Sequence, residues 1–253
     1  MDLGTLRDIV TYPVKGMTGR RADSAVVEVG RALAGDRRFA IAHKASRFDP
    51  LDPEWQPKSQ FVVLMRHERL AQLTSDFDAE TGVLTLSRGN RQVARGTITT
   101  PLGRDLINQF LSAFLATESR GVARIVEGPA IGFPDRPKPF LSIINRTTCR
   151  DIERVARAPV DPARFRGNLI VETEQPWAEF AWIGQEIAIG DVRLRIEERI
   201  ERCPATQVNP ATAARDLNVP KILQDGFGHM CCGVMATVSA PGTLKTSAAI
   251  RLV

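Results

Sequence analysis

The sequence predicts a mainly β fold of the α+β kind, built as two β-rich halves with a few short helices, and three observations carry that expectation. Short alternating or β-branched runs recur between turn signals along the whole chain. Regular alternation of strands with long helices, the mark of a parallel sheet, is missing. A proline-dense stretch separates the halves. Barrel-like or sandwich domains satisfy all three observations, and a Rossmann or TIM-barrel architecture does not.

In chain order, Phe61 to Met65, Val83 to Leu86 and Gln92 to Thr99 read as strands, set apart by Glu80-Thr81-Gly82 and Arg88-Gly89-Asn90. Asp105 to Ala116 brings Leu106, Ile107, Phe110, Leu111, Phe114 and Leu115 onto one face, which predicts an amphipathic helix. Between Glu127 and Pro139, four prolines and two glycines predict a loop or crossing between domains. Thr148 with Asp151 reads as the capping start of a short helix whose Ile152 and Val155 face inward. Leu169 to Thr173, Glu186 to Ile189, Val192 to Ile196, Val234 to Val238 and Ala248 to Val253 read as strands.

Composition narrows the function. The 253 residues are 43% hydrophobic and 25% charged, ordinary for a globular chain. The net charge of +5 and a pI near 9.3 favour anionic partners. The basic residues are scattered and only one tyrosine is present, so nucleic acid is not expected, and a phosphorylated small molecule is preferred. The charge-free stretch Gly226 to Leu244 is broken by four glycines, a proline and a histidine, and the first ten residues lack a secretory apolar region. A cytoplasmic protein without a membrane partner is expected.

Familiar chemistry is mostly missing. There is no H-E-x-x-H, G-x-S-x-G or G-x-G-x-x-G, and only His43, His67 and His229 are available. Gly30 to Gly35 has phosphate-loop spacing, but Asp36 stands where lysine is required, so a turn is expected. Cys149, Cys203, Cys231 and Cys232 contain no C-x-x-C and read as free thiols. Cys231 and Cys232 on a strand point to opposite faces, so they and His229 are expected to be packing residues rather than a soft-metal cluster.

What remains is an ordered set of segments: Tyr12-Pro13-Val14-Lys15-Gly16, Gly35-Asp36-Arg37-Arg38, Phe165-Arg166-Gly167-Asn168, Trp177-Ala178-Glu179, Ile189-Gly190-Asp191, and Arg202-Cys203 followed by Thr206 and Val208-Asn209-Pro210. This succession resembles the MOSC family, the domain named for the C-terminal part of molybdenum-cofactor sulfurases, together with its usual N-terminal β-barrel partner. The resemblance implies an N-terminal barrel over residues 1–118 and a MOSC domain over 119–253. One departure bears on the site: where amidoxime-reducing relatives carry D-x-S before Pro-Phe, this chain has Asp135-Arg136-Pro137-Lys138 before Pro139-Phe140.

By that resemblance Cys203 is the catalytic thiolate and molybdenum ligand, and Lys15, Arg37, Arg166, Asn168, Arg202 and Cys203 contact the molybdenum cofactor (Mo-molybdopterin). The chemistry agrees. A soft-leaning metal already held by a dithiolene needs one protein thiolate, and a terminal phosphate needs cations and N–H groups. Phe165, Trp177 and Trp182 are expected in the core. The activity implied is reduction of small N-hydroxylated compounds. The sequence holds no iron–sulfur C-x4-C-x2-C run, so electrons are expected from a separate ferredoxin, flavoprotein or cytochrome. A non-catalytic cofactor carrier and a persulfide sulfur-transfer protein stand as alternatives.

Overall fold

The computed structural model describes residues 2–116 and 121–253. The first half holds β1 (Asp2–Thr11), β2 (Arg20–Ala22), β3 (Ser24–Val27), β4 (Phe39–Ala42), β5 (Thr74–Asp78), β6 (Val83–Arg88), β7 (Arg91–Thr97) and helix α1 (Pro101–Phe114). The second holds β8 (Arg124–Glu127), β9 (Leu141–Asn145), α2 (Arg146–Ala156), β10 (Leu169–Glu172), β11 (Glu186–Ile189), β12 (Val192–Glu201), α3 (Val219–Phe227), β13 (Cys231–Ala240), β14 (Gly242–Lys245) and β15 (Ala249–Leu252).

Seven strands close a barrel in the order β10, β9, β13, β12, β11, β15 and β1, with β1 pairing back onto β10. Alternation along the strands fills its interior with Leu6, Ile9, Leu141, Ile143, Leu169, Val171, Ile187, Leu194, Ile196, Val234 and Ile250, all fully buried. The fold is mainly β, as the sequence predicts, but β1 was not among the predicted strands. It pairs antiparallel with β10, Ile9 opposite Leu169, and with β15, Thr5 opposite Ala249. The chain's first strand thus completes a barrel made otherwise from its second half. The sequence boundary at 118/119 lies outside the described residues.

The rest of the first half surrounds its own core of Phe39, Ile41, Leu70, Phe77, Leu84, Leu86, Ile98, Ile107 and Leu111. The antiparallel sheet β5-β6-β7 lies on one side with α1 against β7, and the β4–β8 pair ties this core to the segment after α1. The antiparallel pair β14–β3 makes a further link between the halves.

Several local expectations need correction. Helix α1 starts four residues earlier than the periodicity predicts, because the Thr100 hydroxyl accepts from the Gly103 N–H at 3.2 Å and Pro101 takes the first turn. Helix α2 is capped by Asn145, whose Oδ1 accepts from the Thr147 N–H at 3.1 Å, so Thr148 lies inside the helix and is freed for another role. Phe61 to Met65 is not a strand: Phe61 makes one bridge to Ala42 and the chain then turns, its apolar side chains reflecting burial rather than pairing. Helix α3 and strands β2, β3, β4, β5, β8, β9 and β14 are not among the expected elements. The 30–35 segment is indeed a turn region, and β13 carries Cys231 half-buried and Cys232 buried, as opposite faces require.

Gly233 in β13 has φ +74°, and a Cβ there would lie 2.3 Å from the Ile143 carbonyl oxygen of β9. Gly233→Ala therefore combines left-handed strain with a backbone clash and is expected to destabilise the chain by more than about 1 kcal/mol. A fall in the urea unfolding midpoint relative to wild type is the measurement.

Candidate functional site

The site assembles where β1 ends beside the start of β10. The two strands run antiparallel, and the Val10 N–H donates to the Asn168 carbonyl at 2.7 Å, so the Tyr12–Lys15 segment leaving β1 meets the Arg164–Asn168 segment entering β10. A cavity of about 290 Å³ opens there, lined by Lys15, Arg37, Lys58, Asp135, Arg166, Arg202 and Cys203, with Val63, Leu64, Phe140 and Met235 among its apolar walls. Five of the six sequence-selected residues, from both halves of the chain, share this one cavity.

Tyr12 organises the cations. Its ring is contacted by two guanidinium groups, Arg166 with its carbon 4.2 Å and Arg37 5.4 Å from the ring centroid. The Tyr12 N–H donates to Asp36 Oδ1 at 2.8 Å, its hydroxyl donates to the Gly167 carbonyl at 3.3 Å, and its carbonyl accepts from the Arg37 N–H at 2.7 Å. Arg37 also ion-pairs with Asp36 and donates to the Arg166 carbonyl at 3.3 Å. Arg37 and Arg166 both adopt left-handed backbone conformations, φ 51° and 53°, a strain that bulky side chains rarely carry and that clusters at functional sites. The sequence points to the segment of Tyr12 but not to its role, because a ring that contacts two guanidinium groups joins positions far apart in the chain.

Arg166 donates through one terminal nitrogen to the Met17 carbonyl at 2.6 Å, while its other terminal nitrogen is buried with no partner. Burial is the main reason its pKa is pushed down to about 10, with Tyr12 opposing and Arg37 adding to the fall, so it stays charged at neutral pH. Lys15 is 5% exposed; its ammonium donates to the Phe133 carbonyl at 2.9 Å and pairs with the Asp135 carboxylate. Burial lowers the Lys15 pKa, against the pull of Asp135. Although the Asp135 side chain is largely exposed, the protein packed around it would raise its carboxyl; the Lys15 charge and hydrogen bond, with Arg37 and Lys58 beyond, outweigh this and hold it well below the usual carboxylate range.

On the opposite side, Cys203 follows the end of β12 and caps the turn Pro204–Gln207. Its carbonyl accepts from the Thr206 N–H at 3.1 Å and hydroxyl at 2.9 Å, and its thiol is free and half-buried. Arg202 is fixed as framework. Its Nε donates to the Cys232 carbonyl at 2.8 Å, a terminal nitrogen donates to the Phe165 carbonyl at 3.1 Å, and it lies over the Phe165 ring. Burial lowers its pKa, opposed by the neighbouring thiols of Cys232, Cys149 and Cys203.

Asn168 is the selected residue that does not line this cavity. It is fully buried, its Oδ1 accepting from the Ser142 N–H at 3.2 Å and hydroxyl at 2.9 Å and its Nδ2 donating to the Val10 carbonyl at 3.1 Å. Those bonds stitch β1, β9 and β10 together at the point where the two site segments meet. Glu179 is likewise a buried clamp: its carboxylate accepts from Asn145 Nδ2 at 2.9 Å and from the Thr148 hydroxyl at 3.0 Å, and burial raises its pKa. Phe165 and Trp182 are core residues, and Trp177 packs against Phe227 and His229. Among the described residues no three His, Cys, Asp or Glu side chains converge as a metal-holding set, and His229 accepts the Cys231 N–H instead.

The cavity is therefore lined by one cysteine with a free thiol and by a set of cations, drawn from segments that two family models cover. The MOSC domain matches residues 134–251 and the MOSC N-terminal beta barrel domain residues 3–118. The chain belongs to the MOSC family. In MOSC terms, β1 falls in the N-terminal match yet closes the barrel of the C-terminal one.

No curated protein matches the chain. Solved structures similar to it include APC1665, the YUAD protein from Bacillus subtilis, at 12% identity, covering 98% of this chain and 94% of that one with a TM-score of 0.45. YiiM from Escherichia coli is 21% identical over 49% of this chain and 57% of its own, with a TM-score of 0.34. YiiM from Geobacillus stearothermophilus is 16% identical over 45% and 53%, with a TM-score of 0.35. Among the described residues no helix is long and apolar enough to cross a membrane.

Asn168→Ala removes partners from buried groups on β1 and β9, so it is expected to cost about 3 kcal/mol of stability. Chemical denaturation reads that loss, and Asn168→Asp, which retains an acceptor for Ser142 but not the donor to Val10, should recover part of it.

Proposed function

We propose that this protein binds the molybdenum cofactor in the cavity between the two site segments, with the Cys203 thiolate as the metal's protein ligand, and that it reduces small N-hydroxylated compounds. The observation that carries the reading is the orphaned buried nitrogen of Arg166, set within a cation group that shares one cavity with a free thiol. A buried guanidinium nitrogen without an acceptor is costly unless an anion completes it, and a phosphate tail would do so. The donor set fits: one soft ligand for a metal whose other sulfurs come with the cofactor, and several cations for its phosphate.

When bound, the cofactor supplies two-electron oxygen-atom chemistry at the metal. The chain's own residues would do the rest. Lys15, Arg37 and Arg166 hold the phosphate end, Arg202 keeps the Cys203 segment in place through the Cys232 and Phe165 carbonyls, and Asn168 keeps the two segments in register. Apolar Val63, Leu64, Phe140 and Met235 exclude water and favour an uncharged substrate. Overall, an N–OH group, two electrons and two protons give an N–H group and water. The electrons come from a separate acidic ferredoxin, flavoprotein or cytochrome, whose charge suits a protein of net +5.

Cys203→Ala is expected to lower molybdenum retained per chain by at least about 100-fold and to abolish benzamidoxime reduction, with the melting curve unchanged. Metal analysis, pterin release and turnover with a supplied electron carrier are the measurements. Wild-type protein with stoichiometric cofactor and no turnover would establish a carrier instead, and persulfide on Cys203 without metal would establish sulfur transfer.

A further inference from the structure

Asp135 and Lys15 form an asymmetric pair. Lys15 is 5% exposed and cannot leave, whereas the Asp135 side chain is 58% exposed. Asp135 sits between Pro134 and Pro137 on the loop before β9, and among the described residues its only hydrogen bond is to Lys15. The flanking residues have other partners: Trp55 Nε1 donates to the Pro134 carbonyl at 3.0 Å, and Arg136, which also lines the cavity, pairs with Glu198 at the surface. Such an exposed ion pair contributes less than about 1 kcal/mol, so on its outer side the segment is held mainly by the Trp55 hydrogen bond.

The carboxylate buried among the cations behaves differently. Asp36 is 8% exposed and held by both the Tyr12 N–H and Arg37, so it is permanent. Asp135 is the exchangeable anion. We propose that Asp135 is an internal competitor for the anion seat on Lys15, so that a phosphate-bearing ligand binds by displacing this carboxylate and the 134–137 segment governs entry to the cavity. The proposal rests on the cofactor reading only in taking the ligand to be phosphate-bearing. A phosphate brings more acceptor oxygens and up to twice the charge of a carboxylate, so the exchange runs toward the ligand, at reduced affinity. It also accounts for an aspartate paired with a cation that lines the cavity, where Glu201, the other carboxylate of the lining, makes no ion pair with Lys15.

The test is calorimetric titration of the full chain with inorganic pyrophosphate, using Asp135→Asn, Lys15→Met and the double variant. Asp135→Asn is expected to bind about tenfold more tightly than wild type, with the gain falling below about twofold in the Lys15→Met background, because the competition acts through the Lys15 contact. Pyrophosphate should also raise the melting temperature of Asp135→Asn more than that of wild type. Equal gains in both backgrounds would mean simple repulsion and would overturn the proposal, as would unchanged or weaker binding in Asp135→Asn. If pyrophosphate bound to neither wild type nor Asp135→Asn, the basic cradle itself would fail, and both readings with it.

Discussion

The pairing of β1 with β10 is the constraint on which the molecule depends. Seven strands close only if the first of them returns to the second half, and Ile9 opposite Leu169 sets the register of that return. Everything chemically distinctive lies just past the ends of this pair. A one-residue slip would turn Ile9 out of the barrel and carry Tyr12 off the Gly167 carbonyl. The Asn168 amide, bonded to β1 and to β9, holds that register against such a slip.

From that register follows the electrostatics. Several cations brought into one cavity repel each other, and the protein offsets this with a ring that two guanidinium groups contact, a sealed aspartate and a more exposed one. The left-handed conformations of Arg37 and Arg166 are local costs that the surrounding hydrogen bonds sustain. Across the cavity, Arg202 spends its donors on backbone carbonyls, so a residue chosen for its charge acts as a brace and leaves the Cys203 thiol unencumbered.

Part of this was legible in the sequence. Strands with clean turn signals, such as Glu186–Ile189 with Gly190 at φ 60° in the following hairpin turn, emerge nearly as expected because local chemistry specifies them. Strands β1 and β9 were invisible because their runs, broken by Gly4, Asp8 and Ser142, make sense only inside a closed barrel. The family resemblance selected residues that mostly share a cavity, but it could not separate Asn168, a stitch, from Arg166, an incomplete donor. Nor could spacing reveal Tyr12, Asp36 or Asp135 as partners, since each contact depends on the chain returning on itself.

That return also orders events during biosynthesis. Strand β1 emerges first, yet apart from β2 beside Ile9–Thr11 its neighbours are residues 169–172 and 249–252. Beyond its local pairing with β2, a nascent chain must therefore hold β1 without its barrel neighbours while almost all of the rest is translated, and its last hydrogen-bonding partner arrives only at the end. The first half can collapse around Phe39, Phe77 and Leu84 early, but the thiol and the cations acquire their common cavity only in the final act of ring closure.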